Sequence, residues 1–127
     1  AAIRGLLALV ETVNTSFEYL YRVRDIKVFG SFLGTEPYVS DVDLCVNLEP
    51  KYDQEEMVIL AREQIAAERR NGRRFRNLVH ELGWPQYKVL GYLKSRSPVL
   101  SIELGDDPIL ERAYWEYLYQ WSNGSHT

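Results

Sequence analysis

Two aspartates, Asp41 and Asp43, lie inside an apolar run, although strand interiors usually exclude aspartate. Residues 41–48 alternate strictly between apolar and other residues, which predicts a half-buried strand with both carboxylates on one face. Two unpaired carboxylates about 6.5 Å apart along a strand repel each other unless a cation lies between them. Because carboxylate oxygens are ligands for divalent cations, the pair predicts a Mg²⁺ (or Mn²⁺) site.

A glycine-serine pair, Gly30-Ser31, precedes these aspartates and follows a short predicted strand at 26–29. Glycine allows a phosphate group to approach the backbone closely, and the Ser31 hydroxyl adds a hydrogen-bond donor. A turn that leads into a helix also offers free N–H groups and a favourable dipole. The pair is therefore a candidate triphosphate site.

The spacing of these residues resembles the signature of the DNA polymerase β-like nucleotidyltransferase superfamily. An apolar residue, glycine and serine at 29–31 are followed by nine residues and then by Asp-Val-Asp-Leu at 41–44. Ser40 completes the Ser-Asp-x-Asp-Leu form that is common in minimal nucleotidyltransferases. The motif covers about 20 residues, and the predicted strand order extends the likeness to most of the chain.

The resemblance implies transfer of a nucleoside monophosphate from a nucleoside triphosphate to an acceptor hydroxyl, with release of pyrophosphate. It also implies that Gly30 and Ser31 cradle the triphosphate, while Asp41 and Asp43 bind the metal. ATP is the expected nucleotide, and the acceptor is a protein, an RNA or a small molecule. Small members of the family often belong to toxin–antitoxin pairs, so a helical antitoxin is an expected partner.

A third carboxylate is implied on a later strand, in an apolar–acidic–apolar pattern that Ile102-Glu103-Leu104 matches. In the family this residue binds metal and acts as the general base, so Glu103 is the candidate here. The rival candidates, Asp106 and Asp107, directly precede a proline and are better explained as a helix N-cap.

Basic and aromatic residues provide further candidates. Lys94 and Arg96 lie just before the strand that carries Glu103, which favours a role in nucleotide binding. Five arginines crowd residues 69–76, and they form either a solvated helix face or an electropositive wall for triphosphate or RNA. The aromatic residues at 114–121 are expected to pack on the core or on a second subunit of a homodimer, with base stacking as the alternative.

The periodicity of apolar residues predicts one domain of the α+β (α/β) class, with a small mixed β-sheet covered by helices. Helices are predicted at 3–21, 53–82, 84–95 and 107–121, with strands at 26–29, 41–48 and 99–104. A break is predicted at Asn71-Gly72, because glycine is common just past a helix end. The buried side of the long helical stretch is assigned to Val58, Ala61, Ile65, Phe75, Val79 and Leu82.

Bulk properties are those of a globular domain, with 127 residues, a net charge of −3 and a single cysteine, Cys45. The opening residues have the pattern of an amphipathic helix and not of a signal peptide, and no apolar run is long enough to cross a bilayer. The expectation is a cytoplasmic protein without membrane contact. Cys45 is expected to be a small packing residue.

Two other functions fit parts of the sequence. A nucleotide-binding module that has lost catalysis and acts through a protein partner would keep the same pocket. Arg74 and His80 also satisfy the loose Arg-x4–6-His pattern of the HEPN ribonucleases, which have an all-helical fold. The predicted strands argue against that fold.

Overall fold

A computed structural model describes residues 2–29, 42–97 and 100–122, which form a mixed sheet and its covering helices. The helices are α1 (Ala2–Thr15), α2 (Gln54–Arg70), α3 (Leu78–Leu82) and α4 (Trp84–Ser95). The strands are β1 (Tyr21–Phe29), β2 (Val42–Pro50), β3 (Leu100–Leu104) and β4 (Trp115–Gln120), with a short 3-10 helix at Pro108–Glu111. In these ranges, no helix combines the length and apolar character that a membrane span needs.

The four strands lie in the order β3-β2-β1-β4. Strand β1 is antiparallel to both β2 and β4, whereas β2 and β3 are parallel. The connection from β2 to β3 therefore crosses over, and helices α2, α3 and α4 lie within it. The predicted small mixed sheet is confirmed, and its presence is incompatible with an all-helical fold.

Helices α1 and α4 pack against one face of the sheet, where the main core lies. The core consists of apolar side chains from all these layers: Leu6, Val10, Val13, Tyr19, Val23, Ile26, Val28, Leu44, Val46, Val89, Leu93, Leu100 and Ile102. The predicted alternation of β2 is confirmed, since Leu44 and Val46 are buried on this face. The polar residues of β2 consequently lie on the opposite face.

The first helix is shorter than its apolar periodicity predicts, and the first strand is longer. Helix α1 ends at Thr15, and Phe17, which falls within the predicted helix, lies beyond it and is 88% exposed. The Asn14 side chain ties the helix end to the strand, accepting from Val23 N at 2.7 Å and donating to Val23 O at 3.2 Å. The sheet pairing of β1 thus extends back to Tyr21.

The helical stretch after β2 breaks where predicted, because Gly72 has a φ of 91°. Its predicted buried side is wrong at three positions, because Val58, Val79 and Leu82 are exposed, and Met57 is the buried residue of α2. The other three assigned residues, Ala61, Ile65 and Phe75, are half-buried. Helix α2 packs mainly on α4 and not on the sheet, so most of its apolar side faces solvent.

The predicted C-terminal helix is also wrong. After one 3-10 turn the chain forms β4, an edge strand that pairs with β1. The aromatics at 115, 117 and 119 alternate with other residues, and aromatic side chains favour a pleated surface over a helix. Tyr119 packs against the core as expected, while the rings of Trp115 and Tyr117 contact each other with centroids 5.0 Å apart.

Candidate functional site

Two acidic side chains on neighbouring strands, Asp43 on β2 and Glu103 on β3, line one cavity of about 180 Å³. Asp43 pairs with Ser101, two residues before Glu103, in the parallel ladder between these strands. Because Leu44 and Ile102 point into the core, strand alternation places both acids on the opposite face. Among the described residues, the lining consists of Phe29, Asp43, Leu44, Ser101, Glu103 and Asp107.

Asp107 contributes a third carboxylate to this cavity. Its predicted role as an N-cap is confirmed, because its Oδ1 accepts from Ile109 N at 2.9 Å. Its own backbone N–H donates to Cys45 Sγ at 3.4 Å, which fixes the segment over the open face of the sheet. Gly105, with a φ of 82°, makes the turn after β3 that returns the chain to this position.

The carboxyl of Glu103 lies in a field of like charge. A hydrogen bond with Asp107 is the largest cause that raises the pKa of Glu103, followed by burial and by the charge of Asp107. A hydrogen bond from Cys45 acts in the other direction, and the charge of Asp43 raises the pKa further. The cavity therefore concentrates negative charge that a bound cation would stabilise.

Cys45 is buried between Glu103 and Asp107, on the same face as Asp43. Its Sγ lies 3.8 Å from Glu103 Oε1. Burial is the main cause that raises the pKa of the Cys45 thiol, so the thiol stays protonated and donates to Glu103. This geometry supports the predicted packing role and not that of a nucleophile.

Asp106 does not cap the 3-10 helix, although it was predicted to share that role. Its Oδ2 accepts from Lys27 Nζ at 2.6 Å, and its Oδ1 accepts from Asn47 Nδ2 at 2.8 Å. Asn47 also donates to Asp25 Oδ1 at 2.9 Å. Lys27 and then Asn47 lower the pKa of Asp106, so this carboxylate ties the segment after β3 to β1 and β2.

Three predicted site residues, Gly30, Ser31 and Asp41, lie outside the described part of the chain. The described residues nearest to them in sequence, Phe29 and Val42, end β1 and begin β2. Phe29 pairs with Asp43 across the antiparallel ladder, and both line the cavity.

Lys94 and Arg96, predicted to bind nucleotide, are not brought to the cavity of Asp43. Lys94 lines a separate cavity formed by the helices, and the Arg96 guanidinium lies 5.9 Å from the ring centroid of Tyr92. Helix α4, at whose end both residues lie, packs on the opposite face of the sheet from Asp43 and Glu103.

Within the described ranges, no three Asp, Glu, His or Cys side chains are arranged closely enough to hold a metal ion. Asp43 and Glu103 form a candidate ligand pair. Sequence reasoning missed the place of Asp107 in the cavity, for which the one available signal was the turn residue Gly105 before it. It also missed Lys27, which forms a salt bridge with Asp106. Alternation along β1 places Lys27 on the same face of the sheet as Asp43 and Glu103.

Comparisons of this chain with protein-family models, with curated proteins and with solved structures found no significant match. The interpretation of the cavity therefore depends on its residues and their geometry.

Proposed function

We propose that the chain is a metal-dependent nucleotidyltransferase of the minimal type within the DNA polymerase β-like superfamily. It would transfer a nucleoside monophosphate from a nucleoside triphosphate to an acceptor hydroxyl and release pyrophosphate. The proposal rests on the Gly-Ser and Asp-x-Asp motif of the sequence and on the acidic cavity, which lies on the face of the sheet opposite to helices α1 and α4.

One observation carries the proposal: Asp43 and Glu103, on adjacent parallel strands, line the same cavity. Strands hold both side chains rigidly, because their apolar neighbours are anchored in the core. Phe29, directly before the glycine of the motif, pairs with Asp43 and lines the same cavity. The described residue that precedes Gly30 in the sequence therefore lies beside Asp43, which supports the proposal.

The donor set suits a hard divalent cation such as Mg²⁺ or Mn²⁺. The pKa of Glu103 is raised first by the hydrogen bond with Asp107 and by burial, and then by the negative charges of Asp107 and Asp43. A cation bound between these acids would offset the repulsion between their charges. Asp41, Asp43 and Glu103 would hold the metal, with Asp107 beside them. Such an ion, when bound, neutralises charge on the phosphates and lowers the pKa of an attacking hydroxyl.

The protein's own groups would manage the proton and orient the nucleotide. A carboxylate, Glu103 by preference, would accept the proton of the acceptor hydroxyl. The acceptor oxygen would then bond to the α-phosphorus while the bond from that phosphorus to the pyrophosphate oxygen breaks. Gly30 and Ser31 would bind the triphosphate, and the charge on the departing pyrophosphate requires positive groups or metal nearby.

The acceptor classes and a helical antitoxin as partner are implied by the resemblance. The cytoplasmic location and a second copy of the chain as partner are proposals from the sequence patterns. A protein, an RNA or a small molecule could carry the acceptor hydroxyl. The rival function, nucleotide binding without catalysis, shares the cavity and differs only in the absence of transfer.

Nucleotide binding should require a divalent metal. We expect ATP to bind at least about tenfold more tightly in Mg²⁺ than in EDTA, because metal must offset the repulsion between the triphosphate and the acidic cavity. Titration calorimetry of each of the four nucleoside triphosphates in both buffers measures this difference. AMP, which lacks the triphosphate, is the control and should show little dependence on metal. Equal affinity for ATP in the two buffers would contradict the proposal.

A further inference from the structure

We propose that a second cavity, lined by basic and aromatic side chains of the helical layer, binds a segment of single-stranded nucleic acid. The cavity has a volume of about 520 Å³ and lies where α2, α3 and α4 meet. Its lining contains the basic residues Arg73, Arg76, Lys88 and Lys94, the aromatic residues His80, Trp84, Tyr87 and Tyr92, and one acid, Glu68. Helix α4 separates this cavity from the sheet, so it is distinct from the site of Asp43.

The charge of this cavity is opposite to that of the whole chain. In the described part of the chain, four basic side chains and one acid line it, although the chain has a net charge of −3. Glu68 is already neutralised by Arg73, whose Nε lies 2.6 Å from Glu68 Oε1. Arg76 and Lys94 form no salt bridge with any residue in the described ranges. Concentrated positive charge of this kind attracts phosphate groups.

The exposed ring of Tyr87 provides a surface on which a base can stack, whereas the buried ring of Trp84 supports the cavity wall. The Arg73 guanidinium lies 4.2 Å from the ring centroid of Trp84, which holds that cation at the cavity wall. The rings of His80 and Tyr87 have centroids 5.2 Å apart, and Tyr87 is 36% exposed. Interleaved cations and aromatic faces are the combination by which proteins bind single strands with little preference for sequence.

The stability of the fold does not explain why these basic and aromatic residues line the cavity. Trp84 Nε1 and His80 Nδ1 are buried and have no hydrogen-bond partner among the described residues, which is costly for stability. The volume lies within the range of about 300–1,000 Å³ that is typical of ligand sites. Beside the paired Arg73, three further lining cations, Arg76, Lys88 and Lys94, exceed what one phosphate group requires, so a strand fits better than a nucleoside monophosphate.

Binding should be measurable in the full chain without nucleoside triphosphate or metal, so it does not depend on the proposed transfer. The probes are fluorescein-labelled eight-nucleotide strands, oligo(U), oligo(A) and oligo(dT), followed by anisotropy at several salt concentrations. We expect at least one strand to bind at low salt and its affinity to fall steeply as salt rises. Comparison of oligo(U) with oligo(dT) distinguishes RNA from DNA as the source, and binding of either supports the proposal.

The variants Arg76→Glu and Tyr87→Ala test the named cavity. Each should weaken binding about tenfold or more, through loss of a phosphate contact and of a stacking surface respectively. Arg4→Glu makes the same charge change as Arg76→Glu on the exposed side of α1 and should change affinity less than threefold. Thermal melts check that each variant is folded, and Arg76→Glu should bind Mg-ATP as the wild type does.

Three results would overturn the proposal. The first is that no strand binds at low salt. The second is an equal loss of affinity in Arg4→Glu and Arg76→Glu, which would indicate a general charge effect. The third is full displacement of the strand by AMP at equal phosphate concentration, which would indicate a site for a free nucleotide.

Discussion

Asp43→Asn is expected to lower nucleotidyl transfer by about 10³-fold or more while the protein remains folded. The substitution removes the charge of a candidate metal ligand but keeps the size of the side chain. A metal ion contributes several kcal/mol of charge stabilisation in the transition state, and each 1.4 kcal/mol corresponds to a factor of ten in rate. The fold should survive, because Asp43 lies on the face of β2 opposite to the core residues Leu44 and Val46.

Glu49→Gln provides the matched control for this variant. Glu49 lies on the same strand and face as Asp43, but it pairs with Arg22 at 3.3 Å and does not line the cavity. Its neutralisation should cost at most about 1 kcal/mol of stability and leave transfer unchanged. Transfer rates with labelled nucleotide, combined with circular dichroism melts, separate catalysis from folding. Unfolding of Asp43→Asn would show that the strand faces are misassigned, and normal transfer would remove Asp43 from the site.

Glu103→Gln should keep Mg-ATP binding within a few-fold of the wild type and lose transfer by roughly 10² or more. Glutamine preserves the shape of the side chain and its capacity to accept from Cys45, but it cannot take the proton of an attacking hydroxyl. An effect on the chemical step with little effect on binding is the kinetic signature of such a residue. Single-turnover rates and calorimetry on the same variant measure the two quantities.

Asp107→Asn decides which acid has this role, because Asp107 lines the same cavity. Asparagine is as good an N-cap as aspartate, so the 3-10 helix should be retained. If Glu103 is the base, Asp107→Asn should transfer at a rate within about tenfold of the wild type. Normal transfer by Glu103→Gln together with loss in Asp107→Asn would assign the third carboxylate to Asp107. Asp106→Asn should instead weaken the salt bridge with Lys27 and therefore lower the free energy of unfolding.

Sequence patterns correctly predicted the helices and strands whose residue preferences agree with the contacts that they make in the folded chain. The alternation around Asp43 and Glu103 predicted both strands and their faces, since one face of each is buried. Gly72 predicted the break in the helical stretch, because its backbone conformation is rare for other residues.

The C-terminal strand was missed because its residues satisfy both periods. The aromatic residues at 114, 115 and 119, together with Leu118, have helical spacing, while the aromatic residues at 115, 117 and 119 alternate. Only pairing with β1, a contact distant in sequence, decides between them. Asp107 was assigned to a cap and not to the cavity for a similar reason. Its contact with Cys45 spans 62 residues and has no local signature.

The transfer of label from specifically labelled ATP tests the central claim most directly. Cell lysate supplies the acceptor, and wild-type protein is incubated with [α-³²P]ATP or with [γ-³²P]ATP in Mg²⁺, with EDTA and Asp43→Asn as controls. The account predicts that an acceptor is labelled from the α position and not from the γ position, and that both controls abolish the label. Label from the γ position that depends on the added protein would indicate phosphoryl transfer instead. The assay is repeated with the other three α-labelled nucleoside triphosphates, and the absence of protein-dependent label from all four would contradict the enzyme assignment.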